Sequence, residues 1–140
     1  MKIWKKPVSI EALQAYRKDT MVENLGIDIT EIGDDYIIAS MPVDRRTHQP
    51  RGILHGGASI ALAETVGSIA ANLAVDESQY CVGLEVNGNH LRSISTGLVF
   101  AKASPAHLGR TTQVWEILIT DELNNKICLS RLTIAVLNQK

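Results

Sequence analysis

Apolar and polar residues alternate along much of this chain, and one long stretch breaks the pattern. From Thr111 to Thr120 the period is two, with Val114, Glu116 and Leu118 on one face and Trp115, Ile117 and Ile119 on the other. That is the signature of a strand buried on one side. Lys126 to Leu137 predicts its partner strand, joined to it by D-E-L-N-N. Two earlier runs, Leu25 to Glu31 and Tyr36 to Val43, flank the turn I-G-D-D and predict a hairpin. Tyr80 to Asn87 predicts a further strand, with Val82, Leu84 and Val86 on one face. Gly97 to Ser104 predicts another, stopped by Pro105. Near the start, Ser9 is placed to cap a short helix, I-E-A-L-Q-A-Y-R-K, with Glu11 in its first turn. Thr20 and Glu23 have capping-box spacing, and Gly26 closes the brief turn they open.

The break in alternation runs from Gln49 to Asn72. Pro50 and Gly52 mark a loop, and from Gly57 onward an alanine-rich apolar run predicts a long helix. Between Ile53 and Val75 the only formally charged residue is Glu64. A helix apolar on nearly all faces belongs in a core. A carboxylate inside one is costly unless it is paired, hydrogen-bonded or protonated. Gly57, Ile60, Ala61, Ser68 and Ala71 share its face. Most of these are small, which leaves room for a ligand. Small residues would equally let the helix lie close to a sheet, with Glu64 bonded to neighbouring backbone.

The helix entrance favours chemistry. His55-Gly56-Gly57 stands where the first backbone N–H groups have no partner within the helix and the dipole attracts negative charge. Bare amides there can hold a carbonyl oxygen that becomes an oxyanion. With the Glu64 carboxylate and the neutral amide of Gln49, they suit acyl transfer or hydrolysis.

The order of elements is strand, strand, long helix, then four strands. A curved antiparallel sheet wrapped around one apolar helix accounts for it, an α+β arrangement in a single domain spanning residues 1–140. The run M-P-V-D-R-R-T-H-Q-P-R-G-I-L-H-G-G-A-S, with A-E-T-V-G-S and V-G-L-E-V-N-G-N-H-L-R after it, resembles the hotdog-fold acyl-CoA thioesterases. The similarity is to the branch holding the 4-hydroxybenzoyl-CoA, 1,4-dihydroxy-2-naphthoyl-CoA and enterobactin-pathway proofreading thioesterases, and it covers the chain from about Trp4 to Leu137. The resemblance implies a hotdog fold, hydrolysis of an aromatic acyl-CoA or acyl-carrier thioester, and sites shared between paired subunits. It implies Glu64 as nucleophile or general base, Gly56 as oxyanion donor, Gln49 and His55 as orienting groups, and Ser68 as a further polar contact. It also assigns coenzyme A to Gly83, to His90, Leu91, Arg92 and Ser93, and to His107, Leu108, Gly109 and Arg110. Coenzyme A enters as part of the substrate, with no separate cofactor. Arg51 departs from these relatives, where an aromatic residue often stands between the proline and the glycine. A non-catalytic acyl-CoA binding module and a hotdog enoyl-CoA hydratase are the alternatives. The hydratases typically separate Asp and His by four residues, whereas Asp44 and His48 here are separated by three.

Composition narrows the field further. The apolar fraction of 45% and charged fraction of 21% are those of an ordinary globular protein. Fourteen basic against fifteen acidic residues leave a net charge of −1, so no global field draws in nucleic acid or an anionic membrane. A phosphate-bearing ligand must be met by a local basic patch. The start, M-K-I-W-K-K-P, lacks the apolar run of a signal peptide, and Glu64, Ser68 and Asn72 interrupt the most apolar segment. Cys81 and Cys128 form no C-x-x-C pair and read as reduced, packed thiols of a cytoplasmic protein. The four histidines show no H-x-x-x-H or H-E-x-x-H spacing, so no metal is expected. A homo-oligomer is expected, with the dimer as minimal unit and a dimer of dimers above it.

Overall fold

In the computed structural model, which describes all 140 residues, one antiparallel sheet of six strands packs against a single long helix. The strands are β1 (Asp28–Ile32), β2 (Ile37–Pro42), β3 (Gln79–His90), β4 (Leu98–Leu108), β5 (Thr112–Asp121) and β6 (Lys126–Asn138). Their order across the sheet is β1-β2-β4-β5-β6-β3, which leaves β1 and β3 at the edges. Helices α1 (Ile10–Ala15) and α2 (Met21–Asn24) precede the sheet, and α3 (Gly56–Leu73) lies on its inner face. Trp115, Ile117, Ile119, Leu132 and Ile134 point inward from β5 and β6 and are fully buried against α3 residues such as Leu62 and Val66. The alternation of β5 therefore does what its period predicts. Trp4 stacks on Trp115 with centroids 6.3 Å apart, and its indole N–H donates to the Gly33 carbonyl, closing the core at the N-terminal end.

Three local expectations change. Pro105 does not stop β4, which continues to Leu108. Pairing with β2 has already ended at Ala103, and although Pro105 stays in register with Trp115 of β5, a bulge follows it, so the proline sits where the sheet is single-sided and irregular. His107 and Leu108 consequently belong to the strand rather than to a loop. In β3 the expected face of Val82, Leu84 and Val86 does not exist. A bulge between Gly83 and Glu85 shifts the register, so Cys81, Gly83 and Val86 face inward while Val82 and Leu84 are exposed. At α2, Thr20 does not cap the helix; its hydroxyl donates to the Arg17 carbonyl, and Glu23 accepts from the Asp19 N–H. Ser9 does cap α1, accepting from the Ala12 N–H at 3.2 Å.

Helix α3 is not enclosed on all sides. Leu62, Ala63, Val66 and Ala70 are buried against the sheet, whereas Ala61, Glu64, Thr65, Ser68 and Ile69 are only half-buried. No helix of the chain is long and apolar enough to cross a membrane.

Candidate active site

The loop before α3 is ordered by its own side chains. Asp44 pairs with Arg46, and this hydrogen-bonded guanidinium holds the Asp44 carboxyl down to about 2. A depressed carboxylate stabilises the fold above its ordinary value of 3.8, a contribution lost as the pH falls through about 2. The Thr47 hydroxyl donates to the Pro42 carbonyl at 2.8 Å, and the His48 ring bonds the Ser95 carbonyl at 2.9 Å. Leu54 N–H donates to the Ile94 carbonyl, so the 94–95 segment is tied at two points to the loop carrying Gln49. The Gln49 side-chain oxygen accepts from the Arg51 N–H, which leaves its amide NH2 to donate elsewhere. His48 is a strut that no spacing motif reveals.

At the entrance of α3, His55 Nδ1 accepts from the Gly57 N–H at 2.7 Å. The ring proton therefore sits on Nε2. Of the two glycine amides expected to be bare, Gly57 is thus taken and Gly56 N–H alone stays free. Gly56 is also a place of close approach, because a Cβ there would lie 2.8 Å from His90 Nε2. His90 ends β3 with its imidazole against the helix N-terminus. It stands beside the free Gly56 N–H. A cavity of about 370 Å³ joins Gln49, Gly56 and His90 to Leu91, Arg92 and Ser93.

Glu64 stands elsewhere. Its carboxylate lies over Gly83 of β3, where an added Cβ would come within 2.7 Å of Oε2. The three ion pairs of the chain are Arg17–Asp28, Arg46–Asp44 and Arg131–Glu116, and none engages Glu64. The cost of burial is met by partial exposure instead of by a backbone partner. Glu64 and Ser68 line a separate cavity of about 470 Å³ between α3 and the α1–α2 segment. Within one chain the carboxylate and the free Gly56 N–H therefore open into different cavities. His107, Leu108, Gly109 and Arg110 line neither cavity. The pairings Leu108↔Gln113 and Gln79↔Asn138 place them at the opposite end of the sheet from His90↔Cys128. Gly109 and Arg110 border a third cavity with Lys2 and Trp4. Lys102 and Arg131 lie on the solvent face, Lys102 over the Tyr36 ring and Arg131 against Glu116. Cys81 and Cys128 are free and buried, and burial pushes both thiols up.

The Gly83 contact makes a prediction. Gly83→Ala should push the Glu64 carboxylate aside and lower kcat by roughly 10²-fold, the cost of about 1 Å of misplacement. Its Tm should hold or rise, since alanine restricts the unfolded chain. An unchanged kcat would mean that this carboxylate position is not the working one.

The six-stranded sheet wrapped around one helix is the architecture expected from the sequence, and comparison with known proteins agrees. The profile of the thioesterase superfamily matches residues 51–128, so the chain belongs to that superfamily and is a thioester hydrolase with the hotdog fold. The proofreading thioesterase EntH of Cronobacter turicensis is 52% identical over 135 residues, 96% of this chain and 98% of that protein. The crystal structure of a Haemophilus influenzae thioesterase superimposes with a TM-score of 0.96 at 50% identity, covering 97% of this chain and 95% of the other. A mutant thioesterase from Pseudomonas aeruginosa gives the same TM-score at 48% identity, covering 99% of this chain and 100% of that one.

Proposed function

We propose that the protein hydrolyses an acyl-CoA thioester at a site built from two copies of the chain. The observation that carries this is the separation of Gly56 and Glu64. They lie eight residues apart on α3, about 12 Å along the axis at ~1.5 Å per residue. Both must come within about 3 Å of one thioester to act together. The free edge of β3 supplies the means. It is 12 residues long and exposes Tyr80, Val82 and Leu84, a surface that soluble proteins seldom leave uncovered. Antiparallel pairing of two β3 strands, with Gly83 opposite the partner's His90 and the bulged Leu84 left out of the register, puts the two-fold axis at Asn87. Gly83 carries Glu64 above it and His90 lies against Gly56, so this pairing brings each carboxylate to the other copy's oxyanion donor. A dimer of dimers would use the outer sheet face, where Phe100, Leu118 and Leu129 are incompletely covered.

In this composite site the Gly56 N–H binds the carbonyl oxygen and stabilises it as charge develops. His55 Nε2–H and the Gln49 amide orient the carbonyl or the lytic water. Glu64 acts by one of two routes. It attacks the carbonyl carbon, the C–S bond breaks, the thiolate leaves to be protonated, and water opens the resulting anhydride. Alternatively it takes a proton from the water that attacks. Both routes return the free acid, the thiol and the starting carboxylate. The apolar cavity beside Glu64 suits the acyl group, and the cavity with Arg92 suits the phosphate-bearing thiol carrier. The aromatic acyl preference of the similar branch is the first to test. Reduced Cys81 and Cys128 fit work in the cytoplasm.

The test is incubation with benzoyl-CoA and a thiol reagent. Release of CoA is expected; binding without release would indicate a binding module, and hydration of crotonyl-CoA the hydratase alternative. Arg92→Ala should raise KM for a CoA ester at least about tenfold more than for the same acyl group on a short pantetheine mimic, since only a phosphate contact is lost. Equal effects on both would remove Arg92 from the carrier site.

A further inference from the structure

Resting on the hydrolase reading above, we infer that the N-terminal α1–α2 segment is the specificity wall of the acyl chamber. We infer also that this chamber is built for medium-length aliphatic acyl groups. The cavity that holds Glu64 is closed on its far side by Leu13, Val22 and Leu25 from this segment, facing Ala61 and Ile69 of α3. Its lining is mainly aliphatic; Tyr16 is the one aromatic wall residue, and it is exposed. An apolar hole of about 150 Å³ already holds benzene. At about 470 Å³ the chamber is far larger than one aromatic ring requires. Apolar surface also continues outward, because Met21 and Tyr16 at the mouth are 62% and 83% exposed. A straight chain lying between the helices would use that length, whereas a benzoyl group would leave most of it unfilled.

The wall is held in place by polar contacts. No residue of α1 is buried, so packing alone does not dock it. Gln14 donates to Asp28 at 3.2 Å and accepts from the Ile29 N–H at 3.0 Å, and Arg17 pairs with Asp28 at 3.0 Å. Asp28 thus fixes both side chains and ties α1 to the start of β1. Asp28 is a positioning residue, acting through Gln14 and Arg17 and not on the substrate.

The experiment measures kcat/KM over straight-chain CoA esters from acetyl to dodecanoyl, with benzoyl-CoA alongside. For the wild type, kcat/KM should climb by up to about fourfold per methylene, the value of a fully buried CH₂. The maximum should fall at octanoyl- or decanoyl-CoA. Val22→Trp fills the chamber and should lower the decanoyl-to-acetyl ratio of kcat/KM at least tenfold, moving the maximum to shorter chains. Asp28→Ala frees the wall and should flatten the chain-length profile, while Asp28→Glu, which keeps the carboxylate, should retain more of it. A wild-type profile that is flat or falls beyond acetyl overturns this inference alone. So does an unchanged ratio in Val22→Trp, or in Asp28→Ala should the tryptophan variant not fold. Release of CoA from none of the esters overturns the hydrolase reading, and the inference with it.

Discussion

Glu64→Ala should leave a folded protein whose kcat has fallen by at least about 10³-fold, or ~4 kcal/mol on the barrier. Two observations set this expectation. The carboxylate stands in an apolar chamber with none of the chain's ion pairs reaching it, so the fold asks nothing of its charge. Gly83 meanwhile clears the space the carboxylate occupies. The substitution removes a polar group from a half-buried helix face and replaces it with the best helix former, so Tm should be unchanged or higher. Either route available to Glu64 loses its reacting group. Retention of more than about a tenth of kcat, less than ~1.4 kcal/mol, would make Glu64 structural. A single turnover in ¹⁸O-labelled water then separates the routes. Label entering the Glu64 side chain reports an anhydride opened at the glutamyl carbon, whereas label confined to the acid product, with no acyl-enzyme trapped by hydroxylamine, reports direct attack by water.

Much of this was legible because periodicity survives folding. The two long strands β5 and β6, the hairpin β1–β2 and the apolar helix with its single charge follow from alternation and composition. Their bounds shift by at most a few residues. The failures have local causes. The bulge at Leu84 turns a run of alternating apolar residues into an edge with Val82 and Leu84 outside, and nothing in the spacing of Val82, Leu84 and Val86 encodes an inserted residue. Pro105 misleads because the penalty for proline depends on whether a neighbouring strand needs its N–H, which is a property of the sheet and not of the strand. Of the proposed site, Glu64, Gly56, His55 and Gln49 come from one continuous stretch. His90 is harder, since only tertiary packing sets it against Gly56. The cavity shared by the α1–α2 segment and α3 carries no sequence signal of its own. Leu13 and Val22 look like the inner face of a short helical segment, and their shared cavity with Glu64 exists only once α1 docks on Asp28. Nor does sequence spacing show that the segments around Arg92 and Arg110 lie at opposite ends of the sheet.

That last separation, and the ~12 Å between Gly56 and Glu64, are why the proposed site takes its two halves from two subunits. If β3 pairs with its copy, each catalytic set draws its carboxylate from one chain and His55 with Gly56 from the other. A subunit defective in one half can then be complemented by a subunit defective in the other. The decisive measurement mixes His55→Ala and Glu64→Ala, each nearly inactive alone, after joint unfolding and refolding at equal concentrations. Each mixed dimer should contain one intact site and one doubly damaged site. Random pairing should thus restore about a quarter of wild-type sites under two-fold symmetry. Activity near that level, appearing only after exchange, is the predicted result. No recovery, with exchange confirmed by mass spectrometry of the mixed dimer, would show that each chain builds its site alone and would contradict the shared-site mechanism.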